Sequence, residues 1–366
     1  MALVLDIPKT ARAAVLNAKG EEYSFLSSHP VPQPESLKPG ECLVKIECSG
    51  VCHSDLHIKH GQQPWTFRAK LPLIGGHEGI GTVVAIGQHT HAPQVKVGDR
   101  VGLKWIADVC GHCDMCRQAH EQSSLNCIAC RSSKAHGFTV DGSFQEYVVS
   151  YVNYVTPIPE GLDSITAAPL LCGGLTIYRA MKEAGAKAGD WVAIAGAGGG
   201  LGHLGVQFAV AMGLRVIAID TGEAKRKLCT ELGAEAWVDF RTTENLVQAV
   251  VSIADNLGPH AAVLTVGEAR PFNDAILYLR NTGTLVSVGL PHSQTNPEIP
   301  LIMIIAKTIT IKGTMTGNRE DMAEALALAA RGKVKLNCDV RKLEQLNDVM
   351  NELDKGDVAG RIVLKM

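Results

Sequence analysis

The stretch "WVAIAGAGGGLGHLGVQFAVAMGLRVIAID", residues 191–220, decides the fold. It opens on the apolar run "WVAIA", too short for a helix and closed by glycines. "LGHLGVQFAVAMG" follows, with apolar residues at helical spacing and a stop at Gly213. "LRVIAID" is again a short β-branched run. Short apolar runs separated by a helix of this length predict parallel strands joined by a crossover. The pattern continues outward through the helical "EAKRKLCTELGA" and the strand-like "AWVDF", "HAAVLTV" and "GTLVSVGL". This half of the chain therefore reads as α/β, a doubly wound parallel sheet.

The turn "GAGGGLG", residues 196–202, adds a function. Glycines let the chain reverse tightly from strand into helix and let the backbone approach a pyrophosphate at the helix N-terminus. Counting back from Gly202 puts Gly199 at the middle of a G-x-G-x-x-G pattern but Ala197 at its first position, so the loop holds an extra residue. The second strand ends in Asp220, where a carboxylate would accept hydrogen bonds from an adenosine ribose. An acid there repels a 2′-phosphate, which favours NAD over NADP. Lys225 lies within reach of the same ribose or a phosphate.

Up to about residue 170 the texture differs. Runs such as "ECLVKIECSGV", "GIGTVVAIG" and "FQEYVVSY" are punctuated by Pro39-Gly40 and Gly98-Asp99, which predicts a β-rich domain. The last fifty residues hold a helix, "REDMAEALALAARG", and a final strand, "GRIVLKM". The 366 residues are 46% hydrophobic and 20% charged with a formal net charge of −2, a balance for two globular domains with no basic field for nucleic acid. No apolar run is long enough for a membrane span, and the N-terminal "MALVLDIPKTARAAV" lacks a signal-peptide pattern. The expected setting is the cytoplasm. Clustered cysteines there point to metal or redox chemistry before disulfides.

Such a cluster occurs. "ADVCGHCDMCRQAHEQSSLNCIACRSS", residues 107–133, holds five of the eleven cysteines: Cys110, Cys113, Cys116, Cys127 and Cys130. Three further segments carry ligand-type side chains among glycines: "SGVCHSDLH" (49–57), "GGHEGIG" (75–81) and "APLLCGG" (168–174). Singly, Cys52, His77 and Cys172 could each be a core residue.

Together with "LPLIGGHEGIGTVV", "VGDRVGLKW", "DGSFQEYV", "GGGLGHLGVQFAVAMGLRVIAID" and "GRIV", these segments resemble the zinc-dependent medium-chain alcohol dehydrogenases. The resemblance runs from about residue 11 to the end and is closest to the yeast-type ethanol dehydrogenases. It implies a GroES-like β domain (residues 1–172 and 314–366) around a Rossmann NAD-binding domain (173–313). It implies a catalytic zinc on Cys52, His77 and Cys172, with the fourth position open for alcohol or water. Asp55 would orient His77, Ser54 and His57 would relay the substrate proton, and Glu78 would sit beside the metal. NAD would contact His53, Gly199, Gly200, Leu201, Asp220, Lys225, Phe240, Val288, Leu290, Thr314, Thr316 and Arg361. Trp65 and Trp105 would narrow the substrate pocket. A second, structural zinc would take Cys110, Cys113, Cys116 and a fourth thiol: Cys127 by the echo "LNC", with Cys130 the rival. The implied activity is NAD-linked oxidation of a small primary alcohol such as ethanol and its reverse; the alternative is a secondary, polyol or aromatic alcohol. Yeast-type members are homotetramers.

Overall fold

Alternating inward and outward side chains cannot be buried by one strand alone, and the first half of the chain solves this with antiparallel neighbours. In the computed structural model the described residues are 6–61, 66, 68–123, 130, 133–289, 296–356, 358 and 360–366. They divide into two compact units. The first is Met1–Cys172, Asn318–Ala330 and Leu336–Met366; the second is Gly173–Gly317 with Arg331–Lys335.

In the first unit, strand β1 (Glu41–Gly50) is the hub. It pairs antiparallel with β2 (Gly79–Ile86) on one side and with β3 (Arg361–Lys365) on the other. The register sets Ser49 opposite both Gly79 and Leu364. The chain just after Gly50, just before Gly79 and at Arg361 therefore converges on one end of this sheet. Helix α1 (His53–His60) starts there, with Cys52 as its N-cap. Asp55 at the third position returns its carboxylate to the Cys52 N–H, a capping box in which Cys takes the usual Ser or Thr place. Val44, Ile46, Val83, Val101 and Leu103 pack as one core against this sheet.

The second unit is a six-stranded parallel sheet. Its strands are β4 (Trp191–Ala195), β5 (Arg215–Asp220), β6 (Ala236–Asp239), β7 (Ala261–Leu264), β8 (Thr284–Ser287) and β9 (Thr310–Gly313). Their order is β6-β5-β4-β7-β8-β9. The order reverses between β4 and β7, the position at which doubly wound sheets bind ligands beyond their carboxyl ends. Ile217, Ile219, Leu264, Leu285 and Ile276 form part of its core, each burial contributing roughly 1.5–3 kcal/mol. Helix α2 (Gly202–Ala211) is buried nearly all round, which explains its apolar composition. None of the described helices is long and apolar enough to cross a membrane.

Candidate active site and metal centres

The convergence at the end of β1 assembles the first site. The ligand atoms of Cys52, His77, Glu78 and Cys172 all lie within 4.8 Å of one another. Cys52 Sγ is 3.8 Å from Cys172 Sγ, and His77 Nε2 is 3.3 Å from Cys172 Sγ. Two sulfurs bound to one tetrahedral zinc at about 2.3 Å each stand about 3.8 Å apart, so the thiol pair fits that ion. Cys172 reaches the group from a π-helical turn, Leu170–Gly174, that follows Pro169. Such turns redirect side chains that a regular helix would aim elsewhere.

The buried Asp55 organises the ligands. One oxygen accepts from His77 Nδ1 at 3.0 Å and from the Gly76 N–H at 3.1 Å; the other accepts from the Cys52 N–H at 3.0 Å. With Nδ1 donating, His77 presents a free lone pair at Nε2 towards the thiols. Gly76 has φ +90°, a conformation an L side chain rarely adopts. At Gly50, a Cβ would lie 1.9 Å from Glu78 Oε2, so a side chain there would displace that carboxylate.

Glu78 is fully buried and pairs with the Arg361 guanidinium. Burial pushes its carboxyl up to about 7, against the pull of Arg361. Its Oε2 has no partner among the described residues, and one oxygen of this carboxylate lies within 4.8 Å of the thiols and the imidazole. An orphaned carboxylate oxygen beside two thiols and an imidazole is a donor set that a divalent cation satisfies. Arg361, expected to contact NAD, here spends its Nη2 on Glu78 inside the first unit. Ser54 Oγ lies 3.7 Å from Cys52 Sγ; His57 is part-buried and His53 exposed on α1. The Trp105 ring meets His77 edge-on at 4.9 Å and stacks on Phe138 at 5.4 Å. Trp65 and Leu290 lie outside the described residues.

The second metal group is Cys110, Cys113, Cys116 and Cys130. Cys110 and Cys116 are 3.9 Å apart, Cys113 and Cys116 3.4 Å. The Cys113 N–H points at Cys110 Sγ, and the Cys110 N–H at Cys130 Sγ. Backbone N–H groups, that of His112 foremost, draw the Cys110 thiol down to about 6, towards the thiolate a metal needs. Among the described residues the fourth thiol of the group is Cys130; Cys127, expected as the fourth ligand, lies outside them. Four thiols close a tetrahedron. The sequence feature that points to Cys130 is its distance before "GFTVDGSF". None of the described cysteines is in a disulfide.

The second unit gathers its candidates along the carboxyl edge of the sheet. Gly196 takes φ +79° as the chain leaves β4, and a Cβ on Gly202 would lie 2.0 Å from Gly196 O. The Gly198 N–H donates to Asp220 Oδ2 at 2.9 Å, and Lys225 Nζ to Asp220 Oδ1 at 2.9 Å. The tight positions are thus Gly196, Gly198 and Gly202, and the extra residue falls after Gly198, within 199–201. Counting from the front of the loop would have found this. Phe240 follows β6, Val288 follows β8 and Thr314 follows β9, with Thr316 buried two residues on.

A glycine turn on a parallel sheet, joined in one chain to a dithiol–imidazole group on a β domain, defines a zinc-dependent dehydrogenase. Residues 38–160 match the family model for the alcohol dehydrogenase GroES-like domain, and 200–331 that for the zinc-binding dehydrogenase domain. The chain is 43% identical to Alcohol dehydrogenase 1 of Neurospora crassa over 98% of both chains, and 43% identical to that of Emericella nidulans over 99% of both. An alcohol dehydrogenase structure from Aeropyrum pernix matches with TM-score 0.82 at 31% identity, covering 97% of this chain and 100% of that one. An acetophenone reductase from Geotrichum candidum, solved with NAD, matches with TM-score 0.81 at 28% identity over 99% and 98%. The chain belongs to the zinc-dependent medium-chain alcohol dehydrogenase family, with a GroES-like domain and a Rossmann domain, and is an oxidoreductase of that family.

Proposed function

We propose that the protein oxidises a small primary alcohol, ethanol-like in size, to its aldehyde and catalyses the reverse, with NAD as hydride carrier. The observation that carries this reading is the Cys52, His77 and Cys172 group with Asp55 behind the imidazole. Zinc held there supplies a Lewis acid that makes an alcohol hydroxyl easier to deprotonate. Ser54, beside Cys52, takes that proton and His57, one helical turn further on, delivers it to solvent. Asp55 keeps His77 in the liganding tautomer, and Glu78 with Arg361 sets the charge beside the metal. The residues proposed to contact NAD are His53, Gly199, Gly200, Leu201, Asp220, Lys225, Phe240, Val288, Leu290, Thr314, Thr316 and Arg361. A structural zinc on Cys110, Cys113, Cys116 and Cys130 staples the lobe that carries them.

The catalytic domain comprises 1–172 and 314–366 and the NAD domain 173–313, close to the two compact units. The assembly is a homotetramer in the cytoplasm. Support for self-association comes from the open edge of β9 and from Leu301, Ile302 and Ile305, each about 70% exposed on the neighbouring helix. A secondary or aromatic alcohol is the alternative that the likeness to the acetophenone reductase would support.

The test is NAD reduction by zinc-loaded protein with alcohols of rising length and branching. Activity is expected to be highest on short primary alcohols and abolished in Cys52→Ala. An active Cys52→Ala enzyme would overturn the mechanism, and a preference for branched or aromatic alcohols would overturn the substrate.

A further inference from the structure

The acid that selects against NADP in the sequence reading is Asp220, yet a second carboxylate stands beside it. Asp220 and Asp239 are direct partners across the parallel ladder of β5 and β6, each the last residue of its strand. Paired residues of adjacent strands point to the same face, so both carboxylates leave the sheet together at its carboxyl edge. Lys225 pairs with Asp220, whereas Asp239 is in no ion pair among the described residues.

Asp239 is also committed to the loop that follows Asp220. Its Oδ2 accepts from Thr221 Oγ1 and the Gly222 N–H, both at 3.2 Å. Its Oδ1 accepts from the Arg241 N–H at 2.9 Å and the Thr242 N–H at 3.3 Å. These bonds, that from Arg241 foremost, hold its carboxyl below the usual range, so it is an anion at neutral pH. A 2′-phosphate arriving at this edge needs donors. Asp220 holds Lys225 Nζ, the Gly198 N–H and the Thr221 N–H, while Asp239 holds the Thr221 hydroxyl and the Gly222 N–H of the loop that follows.

We infer that Asp239 is a second determinant of NAD over NADP, acting with Asp220 by keeping a negative charge at the ribose edge and by occupying the Thr221 and Gly222 donors. The inference rests on the proposed NAD site. Removing Asp220 alone frees the ammonium but leaves the charge and the loop donors as they were. Asp239→Asn removes the charge as well and leaves one acceptor oxygen where the carboxylate offered two; with its NH2 in the Oδ2 place it releases the Thr221 hydroxyl and the Gly222 N–H to a phosphate.

The experiment compares zinc-loaded wild type, Asp220→Gly, Asp239→Asn and the double variant, reading kcat/KM for NADP divided by kcat/KM for NAD. Asp220→Gly is expected to raise the ratio. Adding Asp239→Asn should raise it by about a further tenfold, the low end of what one nearby like charge costs at a protein surface. If Asp239 only tethers two loops, both cofactors weaken alike, the ratio of the double variant equals that of Asp220→Gly, and the inference fails. If Asp220→Gly leaves the ratio unchanged, the ribose does not sit at Asp220 and the NAD site itself is misplaced. Asp239→Ser, with a short acceptor for the loop, replaces Asp239→Asn should the latter fail to fold.

Discussion

Asp55→Asn is the sharpest probe of the catalytic metal site. Three donors converge on this buried carboxylate: the Cys52 N–H, the Gly76 N–H and His77 Nδ1. An amide offers one oxygen and one NH2. If its oxygen faces His77 and Gly76, its NH2 meets the Cys52 N–H head-on. If it flips, the NH2 meets both Gly76 and His77, and His77 can satisfy it only by moving its proton to Nε2, the atom that must face the metal. Either way at least one buried donor is lost, costing about 1–3 kcal/mol. Replacing an oriented carboxylate behind a ligating imidazole typically weakens metal binding about 10–100-fold, or roughly 1.4–2.7 kcal/mol, which agrees with that cost. Asp55→Ala would instead strand all three donors, at about 3–9 kcal/mol, comparable with the whole stability of a domain, so Asn is the informative change. The assay is chelator competition for zinc, followed by NAD reduction at saturating zinc. An Asp55→Asn enzyme that holds zinc as tightly as wild type refutes the reasoning, because His77 would then take its tautomer without Asp55.

Two further outcomes follow from the same geometry. Cys130→Ser is expected to lower zinc from about two ions per chain to about one and to lower the melting temperature, while Cys127→Ser changes neither; the reverse result would restore Cys127 as the fourth ligand. His136 is buried, donates from Nδ1 to Lys104 O at 2.8 Å and lies 3.1 Å from Ser150 Oγ through Nε2; burial pulls it down to about 4. Its unfolded form titrates near 6.5, so between roughly pH 6.5 and 4 the unfolded chain binds a proton that the folded one refuses. Stability is fully present above about pH 6.5 and falls by about 3 kcal/mol as the pH drops to about 4; denaturant melts should show this loss in wild type and much less of it in His136→Gln.

The parts of the fold legible in the sequence were those written in local pattern. Residues 191–220 carry both periodicities and their own punctuation, and the structure places β4, α2 and β5 on them. "CHSD" was legible for a related reason. It is at once a helix N-terminus and a ligand motif, since Asp55 closes the capping box of α1 with the same oxygen pair that holds His77. Where one residue serves two local purposes, the spacing is constrained twice and a motif survives to be read.

What stayed hidden depends on contacts far apart in sequence. Arg361 reads as a cofactor residue from "GRIV"; what that motif does not report is its second partner, Glu78, 283 positions earlier. No periodicity reports such a pair; only the register of β1 against β2 and β3 brings the two together. The choice between Cys127 and Cys130 is open in the sequence for a similar reason. Both lie in a lengthened loop, and spacing alone does not say on which side of the ligand the extra residues fall. Among the described residues, the Cys110 N–H is aimed at Cys130 Sγ, a contact no spacing reports. The charge at Glu78 sharpens the point. Removing one member of a buried ion pair typically costs about 3–5 kcal/mol because the other is left uncompensated. Glu78 and Arg361 are therefore tied to each other more strictly than either is tied to its neighbours in sequence, and a reading that treats them as separate motifs must assign them separate roles.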